Sequence, residues 1–407
     1  MVKNEKYSRL ALILASIALT LIGSEIILRV LSHTDIDGNI YVLDRRTLPF
    51  QFPIQSLEKT LQQYVKKGTS YIQYDPDLGW AVRPNSQSEN GLYFSNSAGV
   101  RTSSSRKETP VNPLPGILRI AIFGDSFTHG DDVPYEESWG AVLEKTLNEH
   151  GRQAEVINLG GGGYAIDQAF LRWKKHGKPL RPHLVLFGFQ NSNVKRSMNL
   201  IRKLYSPDSG VIFSKPRFIL QDNALQLINV PTVPPENLIP ILKDFNHWKF
   251  KDHEFFYQEA NYVDRPIYAS RLASFIISGL TTQFSSRRKD YDFFAVDSIS
   301  RKIVWRIIEE FKREVEEGGG RFLIVHIPTK SPIKQLQNGE RLDYQNLLEE
   351  LNANFELIDP SPELIHQAET SSFENLFAEG SSHYSNVGNQ VVGVVVANAL
   401  LAQQPVQ

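Results

Sequence analysis

The chain has 407 residues, enough for one large domain with appendages or for two domains. Hydrophobic residues at 41% and charged residues at 22% are ordinary for a globular protein, and a net charge of −1 gives no reason to expect nucleic acid or another strongly charged partner. Cysteine is absent, which excludes disulfides and thiolate metal sites and suits an exported protein that needs no oxidation.

At the amino end, Lys3, Lys6 and Arg9 precede the apolar run 10–23, LALILASIALTLIG, after which Glu25 and Arg29 punctuate SEIILRVL. The run alone falls between a signal-peptide core and a full span, which needs ~20 residues. Counted on to Leu31, with Glu25 and Arg29 reaching toward the interface, it makes a tilted membrane helix. No small-x-small cleavage site follows, so the expectation is an uncleaved signal anchor over 9–31. The basic flank places residues 1–8 in the cytoplasm and the bulk of the chain outside, although Arg45 and Arg46 weigh the other way.

Residues 32–115 show no sustained periodicity. A short amphipathic piece at 54–67 reads as a helix, YDPDLGWAVRPNS at 74–86 is dense in turn residues, and 91–95 is strand-like. This is expected to be an ordered lead-in that packs on the main domain and ends in a polar, Pro-containing linker.

From 116 to 405 strands alternate with helices. The run 117–123, ILRIAIF, has the length and β-branched content of a buried strand and stops at Gly124-Asp125-Ser126. A helix at 137–150 ends at Gly151, and the strand 154–159 runs into Gly160-Gly161-Gly162-Gly163. A helix at 165–176 and a strand at 183–189 follow, opening into Gln190-Asn191-Ser192-Asn193. Residues 195–300 break the rhythm with prolines, aromatics and a hairpin, 217–220 and 225–229 about Asp222-Asn223. Such an insertion is usually a lid, a partner surface or a substrate platform. Its aromatics Trp248, Phe250, Phe255, Phe256 and Tyr257 suit sugar stacking, but at this density they more often form the insertion's own core. The sheet resumes with a helix at 303–317, a strand at 321–327, a helix at 342–351 and a strand at 355–358. A Val- and Ala-rich helix at 387–401 closes the chain, preceded by Gly380-Ser381-Ser382-His383-Tyr384-Ser385-Asn386.

This rhythm predicts a parallel sheet with helices on both faces. Ser126 then lies at the carboxyl rim, where open parallel sheets bind ligands, and a serine there acts as a nucleophile when a base is within reach. Read alone, Gly-Asp-Ser is equally a turn. The glycine run also suits phosphate, but no Gly-Lys-Ser/Thr follows it. The other histidines show no zinc-ligand spacing. His129 is close to Ser126 in sequence, but three residues along a helix start point elsewhere, which leaves His383 as the base. Asp125 reads as a hydrogen-bonding turn residue.

Together, IFGDSFTHG, the segment 158–163, the segment 188–193 and HYSNVGN resemble the SGNH (GDSL-like) hydrolase superfamily over roughly residue 117 to the carboxyl end, with the insertion its least typical part. The resemblance implies a three-layer α/β/α sandwich with a flavodoxin-like parallel sheet, tethered here by the amino-terminal helix. It implies Ser126 as nucleophile, His383 as base, and an oxyanion hole from the Ser126 N–H, the Gly163 N–H and an asparagine. The usual Gly-x-Asn-Asp is replaced by Gly188-Phe189-Gln190-Asn191-Ser192-Asn193, so Asn193 or Asn191 takes that role, Asn193 being favoured. Many relatives carry an aspartate two or three residues before the histidine. Here Ser381 and Gly380 stand there, Glu379 is the nearest upstream carboxylate, and Asp359 sits on another strand end. A backbone carbonyl is therefore expected to orient His383, giving a weak dyad.

The function implied is a membrane-anchored serine esterase outside the cytoplasm, acting on O-acyl or O-acetyl esters of carbohydrate, without cofactor or metal. The alternatives are an O-acyltransferase sharing the acyl-enzyme and a catalytically weak carbohydrate-binding or assembly protein. The partners expected are a small-molecule or polysaccharide ester and the membrane, with no nucleic acid.

Overall fold

The computed structural model describes residues 2–67, 70–207, 209–284 and 291–403. Residue 1, part of the expected cytoplasmic segment, residues 68–69 of the lead-in, 208 and 285–290 of the insertion, and 404–405 of the main domain lie outside the described residues. The chain forms two compact units, one from residues 1–62 and 239–292, the other from 63–238 and 293–407.

The larger unit is built on a seven-stranded sheet among the described residues. Its strands in chain order are β1 (Phe94–Ser95), β2 (Arg101–Thr102), β3 (Leu118–Phe123), β4 (Ala154–Asn158), β5 (Leu184–Phe189), β6 (Arg321–His326) and β7 (Leu357–Ile358). Their spatial order is β7-β6-β5-β3-β4-β2-β1. The run β4-β3-β5-β6-β7 is parallel throughout, with Ile120 opposite Val156 on one side and Leu184 on the other. That is the flavodoxin-like order, whose switch point lies between β3 and β5.

These strands read as apolar runs because both of their faces are covered. Ile120 and Ile122 point to one face and pack with Trp139, Leu143, Val392 and Val396, from helices Trp139–Glu149 and Asn386–Leu401. Phe123 points to the other, where it meets Trp173 at 6.0 Å and Phe311 at 5.7 Å between ring centroids, Phe311 belonging to helix Ile299–Glu317. The three sheet residues named from β3 and the aromatic anchors beneath them are almost fully buried, each aliphatic side chain contributing about 2 kcal/mol by transfer from water. The sandwich thus has the three layers expected.

Parts of this unit differ from the sequence reading. The segment read as a lead-in adds β1 and β2, which extend the sheet antiparallel beyond β4, Arg101 pairing with Asn158. These strands are two residues long, too short for a periodicity of two to show. The helix expected over 165–176 is α-helical only over Ile166–Arg172 and then widens into a π-turn at Trp173–Gly177. The hairpin is present as Arg217–Gln221 against Ala224–Ile228.

The smaller unit joins the amino end to the later part of the insertion. Helix Val2–Val30 holds a stretch, Tyr7–Val30, long and apolar enough to cross a membrane. Its apolar side chains face outward, Leu12 and Leu19 each 70% exposed, unlike those of a core helix. Glu25 differs from expectation: its carboxylate accepts the N–H groups of Arg271 (2.9 Å) and Leu272 (2.8 Å) and so caps helix Arg271–Phe284, while also pairing with Arg29 at 2.7 Å. The insertion's aromatics pack among themselves and against Phe52: Phe245 lies 4.4 Å from Tyr257 and 5.3 Å from Trp248, centroid to centroid. Tyr257 and Trp248 are buried, as a small core requires.

Candidate active site

Ser126 opens the short helix Ser126–His129, directly after β3. Asp125 caps that helix, its Oδ1 accepting the Phe127 N–H at 3.0 Å. The preceding turn leaves no room for a side chain at Gly124, where a methyl group would stand 2.2 Å from Thr128 Oγ1. At the other end, the Ser126 carbonyl accepts the N–H groups of both Gly130 and Asp131 at 2.9 Å. Ser126 and the turn that follows it are therefore one rigid piece.

His383 approaches from the far end of the chain. It lies beside the bridge Phe377↔Tyr384, just before helix Asn386–Leu401, which Ser385 caps. Its ring stands edge-on to Phe127 at 5.1 Å. Its Nε2 is 2.9 Å from Ser126 Oγ. Its Nδ1 is 2.7 Å from Asp132 Oδ2.

Asp132 corrects the sequence reading. A carboxylate, not a backbone carbonyl, holds His383, and it comes from the turn behind Ser126, not from the residues before the histidine. The assignment of tautomer follows: Nδ1–H donates to Asp132, which leaves Nε2 as the acceptor for the Ser126 hydroxyl. Ser381 Oγ donates to the same Asp132 Oδ2 at 2.6 Å, so the position of the usual aspartate holds a second donor to the acid. Asp132 sits at φ +69°, and its N–H donates to the Tyr93 hydroxyl at 2.9 Å. A signal was present in the sequence as two adjacent acids, Asp131 and Asp132, just past the nucleophile. Nothing in the linear order said which faced a histidine 251 residues away.

Asp131 turns the other way. Its Oδ1 lies 2.5 Å from His129 Nδ1, while His129 Nε2 is 2.9 Å from the Tyr71 hydroxyl. Burial, reinforced by the Arg101 guanidinium, pushes His129 down to about 4, so the ring is neutral at pH 7 and this contact is a hydrogen bond from Nδ1–H to the carboxylate. Burial raises Asp131, but His129 more than offsets it and the carboxyl lies below its ordinary range. His129 is thus a buried support and not the base at Ser126.

The glycine run is tied to the same piece. Asn158 donates to the Thr128 carbonyl at 2.9 Å and accepts the Gly160 N–H at 3.0 Å, and the Gly161 N–H donates to the Gly124 carbonyl at 3.0 Å. Trp80, from the segment read as a lead-in, donates to the Gly162 carbonyl at 2.9 Å. Gly163 follows in the left-handed region, φ +73°. Among the described residues the N–H groups of Ser126 and Gly163 have no internal acceptor, leaving two free donors on this rim.

Asn193 is buried after β5, with Nδ2 3.0 Å from Asp125 Oδ2 and 3.2 Å from the Tyr164 carbonyl. Its Oδ1 accepts the Gln190 N–H at 2.9 Å. Asn191 is half-buried, and its side chain makes no hydrogen bond among the described residues. The structure therefore brings Ser126, His383 and Asp132 into hydrogen-bond contact and sets Asn193, not Asn191, against Asp125. Arg196, which the sequence reading did not single out, donates from Nη1 to Asp125 Oδ2 at 2.8 Å.

No protein-family model and no curated protein matches the chain. Among solved structures, it is similar to a putative lipolytic protein of the G-D-S-L family from Desulfitobacterium hafniense, with 12% identity, 69% of this chain and 98% of that one covered, and a TM-score of 0.36. It is also similar to the acetyl xylan esterase AlAXEase, at 14% identity, 69% and 99% coverage and a TM-score of 0.37. A third is an acetyl-xylooligosaccharide esterase from Geobacillus, at 10% identity, 71% and 96% coverage and a TM-score of 0.35.

Proposed function

We propose that the chain is a serine ester hydrolase, held to a membrane by its amino-terminal helix with the catalytic unit on the side away from Lys3, Lys6 and Arg9. The observation that carries the reading is the relay itself: Ser126 Oγ at 2.9 Å from one nitrogen of His383 and Asp132 at 2.7 Å from the other. A serine is activated only when the ring nitrogen facing it is an acceptor, and an acid on the opposite nitrogen secures that tautomer.

The chemistry follows from these positions. Ser126 Oγ attacks the ester carbonyl while its proton passes to His383 Nε2, and the imidazolium formed is stabilised by Asp132. The oxyanion is received by the N–H groups of Ser126 and Gly163, each donor being worth about 3 kcal/mol in the transition state. Asn193 is proposed as the third donor over Asn191, and it would serve by giving up its longer bond to the Tyr164 carbonyl (3.2 Å), since its other Nδ2 hydrogen is held by Asp125. Collapse expels the alcohol, which takes the proton from Nε2. Water then attacks the acyl-Ser126 ester by the same steps in reverse order, and a sugar hydroxyl in place of water would make the reaction a transfer. The substrate class proposed is O-acyl esters of carbohydrate outside the cytoplasm, on the strength of the motif resemblance.

Labelling of the full-length protein in detergent with a fluorophosphonate tests the assignment. The wild type is expected to label at Ser126, and Ser126→Ala and His383→Ala to lose the label. A folded wild type that does not label sinks the reading. Orientation is read separately, since the chain has no cysteine. A membrane-impermeant maleimide applied to intact cells should modify Ser105→Cys and spare Asn4→Cys.

A further inference from the structure

Two arginines stand at the rim where the chain leaves β5 for its insertion. Arg196 lies at the end of helix Ser192–Arg196, and Arg202 opens helix Arg202–Tyr205. The loop that carries Arg202 is fixed by the bridge Ile201↔Ser214 and by the Lys215 N–H donating to the Leu200 carbonyl at 2.8 Å. A methyl group at Gly163 would stand 3.5 Å from Cζ and Nη2 of Arg202 and 3.7 Å from the Trp80 ring. The guanidinium therefore lies on the side of Gly163 where a Cβ would project. It faces what a substrate carries beside its carbonyl, whereas the N–H receives the carbonyl oxygen.

Among the described residues the charges at this corner do not balance. Asp125 is the carboxylate within reach, and it is fully engaged: Oδ1 holds the Phe127 N–H, and Oδ2 holds Asn193 at 3.0 Å and Arg196 at 2.8 Å. Arg196 Nε is buried without a partner. Among the described residues no carboxylate pairs with Arg202, whose polar contact is a long 3.4 Å hydrogen bond from Nε to Ser209 Oγ, with the Tyr205 ring 5.2 Å from Cζ. Burial, then the neighbouring Arg196, lowers Arg202 to about 10, which leaves it charged at pH 7. A guanidinium removed from water without a counter-ion is costly, and a second one beside it adds repulsion. An arriving anion offsets both, with planar, bidentate geometry suited to a carboxylate or phosphate.

We propose that the ester handled at Ser126 carries an anionic group next to its scissile bond, held by Arg202 beside Gly163 with Arg196 behind it. This rests on the esterase reading and adds the class of substrate: an acidic ester. The insertion contributes to the site through these arginines at its start.

The test compares matched neutral and anionic esters on the full-length protein. Phenyl acetate against para-acetoxybenzoate places the charge on the alcohol, and para-nitrophenyl acetate against mono-para-nitrophenyl succinate places it on the acyl group. The wild type should prefer at least one anionic member in kcat/KM. Arg202→Gln should reduce that preference about 10- to 100-fold, chiefly through KM, as expected for a lost charge-assisted hydrogen bond. Arg202→Lys should keep part of it, which guards against a folding defect. Equal turnover of neutral and anionic esters, or a fall in kcat that is the same for both in Arg202→Gln, overturns the proposal. Calorimetric titration of Ser126→Ala with para-acetoxybenzoate separates the two readings, because this variant binds without cleaving. Binding that vanishes in Ser126→Ala/Arg202→Gln, with no turnover in the wild type, would fail the esterase and keep the anion site. Turnover of neutral esters without such binding would do the reverse.

Discussion

The sheet rim carries two serine–histidine–aspartate clusters, and they differ in which ring nitrogen each partner uses. At Ser126 the serine and the acid lie on opposite nitrogens of His383. At the end of β6, His326 has both Asp359 Oδ1 (2.8 Å) and Ser361 Oγ (3.2 Å) on Nδ1, while Nε2 meets the Tyr344 hydroxyl at 3.0 Å. Ser361 donates its proton to Asp359 at 2.5 Å. Burial pushes the Tyr344 phenol up, so it stays protonated and donates to Nε2. Burial also raises Asp359, but its bonds to His326 and Ser361 outweigh that and hold the carboxyl below its ordinary range. No acceptor is left on His326 to take a proton from a serine. The same three residue types build a relay in one place and a closed structural knot in the other, and the topology around the imidazole decides which.

The comparison breaks most sharply at the serines. Ser126→Ala is expected to lower kcat at least about 10⁴-fold. Ser361→Ala should leave the kcat of the folded protein within about 2-fold in the same ester assay. Next comes the acid. Asp132→Asn should cost about 10³- to 10⁴-fold in kcat by freeing the wrong tautomer, with the fluorophosphonate label slowed in step.

At the knot the effect moves to stability. His326→Gln leaves Asp359 and Tyr344 without their buried partner and should destabilise the larger unit by about 3 kcal/mol, read by denaturant titration. The folded fraction of this variant should still label at Ser126.

A further buried histidine, His129, sets a pH dependence. Folded, it titrates at about 4, against an ordinary value of 6.5, so the unfolded chain binds the extra proton between these values. Stability should be flat above pH 6.5 and fall on acidification toward pH 4, by on the order of 3 kcal/mol from this residue. His176, also lowered to about 4 by burial, acts in the same direction. A His129→Gln variant should show a shallower fall in urea midpoints between pH 6.5 and 4, and an unchanged slope would refute the assignment.

Much of the larger unit was legible from local pattern. The central parallel strands are covered on both faces, which forces apolar runs, and three of the helices between strands are followed by glycines (Gly151, Gly177 and Gly318), whereas Gln345–Asn354 ends at Phe355. Ser126 was marked by its place after the first of those runs, and His383 by its place before the last helix. Three other parts were not legible. β1 and β2 are each two residues long and carry no pattern. Trp80, Tyr71, Tyr93 and Arg101, which brace the glycine run and the Asp131–Asp132 turn, lie in a stretch without periodicity. The choice between Asn191 and Asn193 depends on the direction of one short helix turn.

What local chemistry made legible was the doubly wound sheet and the places of Ser126 and His383, since burial on two faces and turn residues at strand ends act within a few positions of one another. What awaited the folded chain was the orienting acid, the second histidine cluster, and the guanidinium of Arg202 beside Gly163, which among the described residues has no carboxylate partner. Each of those is a relation between side chains tens to hundreds of residues apart. Hydrogen bonding and charge operate over a few ångströms, so such relations exist only after the sheet has set its strand order and brought their ends together.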